Sequence, residues 1–390
     1  MRVTNSMLVN TLIRNLNVNM GRLDKLQGQL STGRKFAHIS DDPVALVYSQ
    51  QARNKIARLS HYQKSVGSAQ DWLNQAEVGV MDLQETIKNA IETAVDAATD
   101  VKTDEDRQNL ARTMEEYRRH FVDTLNTTFG DKFAFGGYNT PGDPTSGRQL
   151  LGDGIKSFVF DPDVGEFGTL YYNGFDLSQL DGMDNRVYEA LINADTLADF
   201  NTALGTIPPP LAKPVPVWTP DEFDRFQTLK NDILTFDVGP GIDMPVTMNG
   251  VQLVLYNTTR VNADGQTENV IRNMANVLHE MFLLAEDGSL LVPPSETSAK
   301  EIGEMIKPLQ DAQNHLLTKT AEIGGRVRRL ELLEARYEQD EINYKQMKSD
   351  AEDVDAADTI MYLKMAEAVY QAALSAGARI IQPTLMDFLR

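Results

Sequence analysis

Two adjacent carboxylates, Asp41 and Asp42, sit in the stretch "GRKFAHISDDPVAL", with long apolar-periodic segments on either side. Paired carboxylates suit a divalent cation or a general acid and base. The other reading starts from Pro43. Proline is favoured at the first helical position, which makes Asp42 the N-cap of a helix beginning there. Ser40 and Asp41 then lie just outside, where negative charge meets the positive end of the helix dipole. Gly33 stands where the preceding segment ends, as a helix C-cap does. Gly33, Asp41, Asp42 and Pro43 therefore read as a cap and junction.

The remaining candidates for chemistry are weaker. His38, His61, His120, His279 and His315 are scattered, with no HExxH or paired-ligand spacing, and read as surface or satisfied helix residues. "DPDVGE" and "NADGQTEN" hold fragments of a calcium loop without its twelve-residue ligand pattern, so turns are expected. "LGDGIKS" lacks the GxxxxGK[ST] spacing of a phosphate loop, and no GxSxG is present. Asp353, Asp355 and Asp358 could hold a cation, although a solvated or arginine-paired helix face explains them better. The chain has no cysteine, which removes disulfides, thiolate zinc sites and thiol nucleophiles. No catalytic residue, metal or cofactor is expected.

The elements that must carry these residues are mostly helical. Val9, Leu16, Leu23 and Leu30 recur every seven residues, with Leu12, Met20 and Leu26 between them, as in a coiled-coil seam. Asn10, Asn15, Asn17 and Asn19 lower intrinsic helicity, so this arm needs a partner. A second helix is expected over about 43–98. Leu59, Val66, Leu73, Val80, Ile87 and Ala94 form one heptad series there, and Tyr62, Ala69, Ala76, Leu83, Ala90 and Ala97 the matching one. A third should start at Thr103 or Asp104, turn Leu110, Met114, Phe121 and Leu125 inward, and end near Gly130.

Glycine and proline then accumulate over 130–265, with strand-like runs "SFVFD", "TLYYN", "PVTMN" and "VQLVLYN" and one helical piece near 184–204. Six prolines fall within Ile207–Pro220, an extended surface segment of polyproline character. Helix is expected again from about Asn269. A long one follows over 296–350, with Leu309, Leu316, Ile323, Leu330, Tyr337 and Tyr344 at heptad spacing, and a last one over 355–380. The fold class is mainly α: N- and C-terminal helices packed as a coiled-coil or helical bundle, around an inserted, β-rich α+β domain. Three parts are expected: 1–40 with 351–390, 41–145 with 265–350 including a hairpin near 131–145, and 146–264.

Charge points to pairing of the ends. The formal net charge is −19, which argues against broad nucleic-acid binding. Residues 1–60 nevertheless hold nine Lys/Arg against three Asp, while 334–358 hold nine Asp/Glu against three Lys/Arg. Exposed pairs contribute ~0–1 kcal/mol each, so charge selects the partner more than it stabilises. No apolar run approaches the ~18 residues of a membrane span, and no membrane insertion is expected. "MRVTNSMLVNTLIRNLNVNM" has no h-region or small-residue cleavage site, so export would use another route than a cleaved signal peptide. The seams outrun what one slim monomer buries, which favours assembly between subunits. Leu12, Leu16, Leu23 and Leu30, with Ile360, Leu363, Val369 and Leu374, are the expected assembly seam.

"QGQLSTGRKFAHISDDPVALVYSQQARNKIARL", "TTFGDKFAFGGYNTPGDP" and "AEIGGRVRRLELLEARYEQDEINYKQMKSDAEDVDAADTIMYL" resemble, in order, segments of the bacterial flagellin family. The likeness covers roughly 1–145 and 265–390. The opening "MRVTNSMLVNTL" leans toward members that join filament to hook, with filament-forming flagellin the alternative and an enzyme in the insertion a remoter one. The resemblance implies a non-catalytic extracellular subunit of the flagellum, its ends lining an inner tube and its insertion facing outward. Implied partners are further copies of itself, flagellin and other hook-associated subunits, with an export chaperone on the C-terminal region and the type III export apparatus.

Overall fold

The computed structural model describes residues 5–36, 38, 40–98, 104–130, 132–137, 156–165, 167–208, 215–261, 267–290 and 296–381. In chain order, α1 (Asn5–Thr32), α2 (Pro43–Ala97) and α3 (Asp104–Leu125) lead into a small hairpin, β1 (Thr128–Phe129) and β2 (Lys132–Phe133). Three antiparallel strands follow, β3 (Phe158–Asp161), β4 (Thr169–Tyr172) and β5 (Phe175–Asp176). After them come α4 (Asn185–Asn193), α5 (Leu197–Leu204), α6 (Pro220–Lys230), the hairpin β6 (Thr235–Gly239) and β7 (Ile242–Pro245), and a short α7 (Gly250–Val254). A seven-residue hairpin, β8 (Leu255–Val261) with β9 (Thr267–Asn273), precedes α8 (Met274–Leu290), α9 (Glu296–Glu352) and α10 (Ala356–Ile381). Long terminal helices that pack on one another and small antiparallel sheets between them are the expected class.

The chain divides into two compact units, Met1–His61 with Ala335–Arg390, and Tyr62–Glu334. In the second, the heptads of α2 are the core. Val66, Leu73, Val80, Ile87 and Ala94 are fully buried, as are Ala69, Ala76, Leu83 and Ala90. Leu309, Leu316, Ile323 and Leu330 of α9 and Met114, Phe121 and Leu125 of α3 are buried too. Gln84 donates to Thr320 at 2.5 Å and Gln70 to Glu334 at 3.0 Å, which ties α2 to α9 along this seam. Helix α3 also packs along α8.

The hairpin after α3 locks onto α2 through a glycine. Phe135 is fully buried, and a Cβ on Gly79 would stand 2.8 Å from its ring. Asn126 then clips the insertion in place: its amide donates to the Phe158 carbonyl at 2.8 Å and its side-chain oxygen accepts from the Phe158 N–H at 2.9 Å. Within the insertion, Trp218 stacks on Phe175 and packs with Phe226. Arg272 is buried between Asp181 and Glu280.

The insertion departs from four local expectations. "VQLVLYN" is half helix, because Asn249 caps α7 by accepting from the Val251 N–H while its amide is held by the Leu229 and Lys230 carbonyls. In "PVTMN" only Pro245 is in a strand; Val246 N–H still donates to the Leu234 carbonyl at 2.9 Å, but the Leu234 N–H turns to the Thr247 hydroxyl at 2.8 Å and the ladder stops there. The piece near 184–204 is two helices, because Thr196 caps α5 by accepting from Asp199 N–H at 3.2 Å. Residues 269–273, placed at the start of a helix from the sequence, instead pair with β8 as part of β9; Asn273 caps α8, accepting from Ala275 N–H at 3.0 Å. The turn at "NADGQ", most of "LGDGIKS", 209–214 of the proline stretch and the side chains at the proposed α3 cap lie outside the described residues.

Candidate assembly site at the terminal helices

The opening carboxylates point at different partners. Asp42 Oδ1 accepts from the backbone N–H of Val44 (3.1 Å) and Ala45 (2.9 Å), immediately ahead of Pro43, the first residue of α2. Asp41 accepts from the His38 N–H at 3.1 Å and pairs with Lys25 of α1 at 3.3 Å. Gly33 follows α1 with φ +69°, where a Cβ is disfavoured, and its N–H donates to the Gln29 carbonyl at 2.9 Å. These contacts start and stop helices. The C-terminal acidic cluster behaves similarly: Asp355 Oδ1 accepts from Ala357 (2.9 Å) and Asp358 (3.2 Å) N–H as the cap of α10, and Asp353 takes the Ser349 hydroxyl. Among the described residues no group of His, Cys, Asp and Glu could hold a metal ion.

The two junctions hold each other. Lys35 N–H donates to the Glu352 carbonyl at 2.7 Å, and Val354 N–H donates to the Gly33 carbonyl at 3.0 Å. Lys35 Nζ reaches the Asp350 carbonyl at 2.6 Å. Glu352, the last residue of α9, is 2% exposed. It accepts from the Ser49 hydroxyl and from Arg53 Nε and Nη2 at 2.6 and 2.8 Å. The Arg53 hydrogen bonds, helped by Ser49 and opposed by burial, lower its carboxyl to about 2. The basic arm and the acidic segment thus meet at Arg53 and Glu352. Sequence reasoning missed this group; its trace is a polar Ser49 on the face of α2 that also carries Ala52 and Leu59, all buried.

Beyond the junctions, α1 and α10 pack along their lengths. On α1 the half-buried stripe is Val9, Leu12, Leu16, Leu23 and Leu26. The opposing stripe of α10 is made largely of small residues, Ala366, Ala373 and Gly377 around Leu363. A Cβ on Gly377 would lie 2.7 Å from Leu12 Cδ2, so the missing side chain admits the leucine. Of the expected seam, Leu12, Leu16, Leu23 and Leu363 are half-buried, whereas Leu30, Ile360, Val369 and Leu374 are exposed.

That exposure is extensive. Met7, Ile13, Val18 and Met20 of α1, and Ile360, Met361, Tyr362, Met365, Val369 and Leu374 of α10, are each at least 46% exposed. A groove of about 450 Å³ runs between the helices, with Leu26, Tyr362, Met365 and Val369 as its apolar lining and Arg22 and Lys25 beside them. These side chains put apolar surface of both helices in contact with solvent. Among the described residues no helix is long and apolar enough to cross a membrane.

Residues 3–140 match the family model of the bacterial flagellin N-terminal helical region. Over this region the chain is similar to the flagellin family. The matched span holds the α1 stripe, the Gly33–Pro43 junction, the α2 heptads and the hairpin that docks at Gly79. The chain is also similar to flagellar hook-associated protein 3 of Escherichia coli K12, 26% identical over 147 residues, and to its namesake from Salmonella typhimurium LT2, 29% over 153. Each alignment covers 37% of this chain and 46% of the relative, so the chain spans about half the length of the curated relatives it matches. In fold, it is similar to a solved structure from Vibrio parahaemolyticus described as a flagellar hook-associated protein. The TM-score is 0.51 at 15% identity, over 80% of this chain and all of that one.

Proposed function

We propose that this chain is a non-catalytic structural subunit of the bacterial flagellum, an adaptor between hook and filament. The observation that carries the proposal is the exposed apolar face of α1 and α10 on a chain with a flagellin-family N-terminal region. That face is the assembly surface. Its partners are copies of the same chain, flagellin and a neighbouring hook-associated subunit, and its place is the extracellular flagellum. Residues 1–40 with 351–390 form the assembly part, 41–145 with 265–350 the helical bundle, and 146–264 the outward insertion. Export through the flagellar type III channel, with a chaperone on the C-terminal apolar face, suits a surface that must not meet partners early. Immunogold labelling of intact flagella tests the reading: one band at the distal end of the hook is expected. Label along the whole filament would identify a filament flagellin, and absence of label from flagella would overturn the proposal.

A further inference from the structure

We infer that Glu352 is a lock that fixes the direction of the α1–α10 pair against the first turns of α2. Both routes into the terminal pair are short: the chain leaves α1 at Gly33 and re-enters helix at Pro43, and it leaves α9 at Glu352 and re-enters at Ala356. Two reciprocal backbone hydrogen bonds, Lys35 to Glu352 and Val354 to Gly33, join these routes side by side. Each contributes ~0.5–1.5 kcal/mol net, and a pair of them on two short strands acts as a pivot rather than a clamp.

What turns the pivot into a clamp is the Glu352 side chain. It reaches from the pivot into α2, where Ser49 and both Arg53 nitrogens converge on its two oxygens. A bidentate guanidinium–carboxylate pair fixes an angle as well as a distance. Ser49 and Glu352 are both buried, so an amide in place of the carboxylate leaves a single acceptor oxygen for Ser49 and Arg53, sets an NH2 against the guanidinium, and loses the charge that orders the pair. The α1–α10 contact itself lies elsewhere, on Leu12, Leu16 and Gly377, and does not use Glu352. The terminal pair should therefore stay intact and lose only its direction when the lock is opened. This inference concerns the isolated subunit and does not rest on its place in the flagellum.

The chain has no cysteine, so spin labels can be placed without background. One pair, Gln50→Cys with Ser375→Cys, reports α2 against α10; another, Asn17→Cys with Ser375→Cys, reports α1 against α10. Electron–electron resonance on the full chain should give narrow distributions for both. With Glu352→Gln the first should widen at least twofold and the second stay narrow. Arg53→Lys, which keeps charge but loses the fork, should widen the first to an intermediate degree, and it serves if Glu352→Gln fails to fold. Two narrow distributions in both variants would overturn the lock. Widening of both would overturn it too, by showing that Glu352 holds α1 to α10 rather than aiming them.

Discussion

Both units of this molecule are built on heptads, and they use them differently. In Tyr62–Glu334 the series from Val66 to Ala94 is fully buried, and the matching positions of α9 close over it. In Met1–His61 with Ala335–Arg390, α1 covers one face of α10 and leaves Ile360, Met365, Val369 and Leu374 outside. Of the 24 large apolar side chains found exposed among the described residues, sixteen belong to this smaller unit and eight to the larger. Equal periodicity thus marks a finished core in one place and an unfinished one in the other. The difference is what a subunit needs if one part must fold alone and another must wait for neighbours.

The sharpest contrast comes from truncating the same kind of side chain in each unit. Leu83→Ala, deep in the α2 series, should cost about 2–5 kcal/mol in denaturant unfolding of the isolated protein. Val369→Ala on the outer face of α10 should change that stability by less than about 0.5 kcal/mol. Equal costs would erase the distinction. Gly79→Ala comes next: alanine favours the helix by up to ~1 kcal/mol, but its Cβ meets the buried Phe135 ring at 2.8 Å. Overpacking should win and destabilise by about 1–3 kcal/mol, read as a lower melting temperature.

Smaller effects probe the junctions. Glu352 has its carboxyl lowered from 4.5 to about 2, so the folded state gains from its ionised form above pH 4.5. That contribution, roughly 1–2 kcal/mol after screening at the partly exposed Arg53, should fade as pH falls from about 4.5 toward 2. Hydrogen exchange in residues 33–36 should rise over that window in the natural chain and be flat in Glu352→Gln. Asp42→Ala removes the α2 cap and should cost about 1 kcal/mol, seen as fraying of residues 43–46 by exchange.

How much of this was legible in the sequence follows the physics of each part. The long helices were readable because periodicity accumulates over many turns; α2 and α9 fall within two residues of the expected bounds. Asp42 was readable because a cap is a local device. The insertion and its return were read less well, since the Asn249 amide is held by the Leu229 carbonyl and the Asn273 N–H by Asp181, contacts that no short window contains. Glu352 was invisible for a similar reason: Ser49 and Arg53 lie about three hundred residues away, and only the packed structure brings them together. On α10, apolar spacing alone did not say which face α1 takes. Gly377 and Ala366 decide that, because small residues let α1 approach closely.

The central claim is that the outer face of α10 is an assembly surface and not part of the subunit's own core. A chain carrying Met365→Glu and Val369→Glu tests it directly, because both side chains line the groove and both are more than half exposed. Supplied to cells that lack the natural protein, the variant should match it in thermal melting as purified subunit, yet fail to enter flagella and leave the cells without filaments. Normal flagella carrying the doubly charged variant would contradict the account.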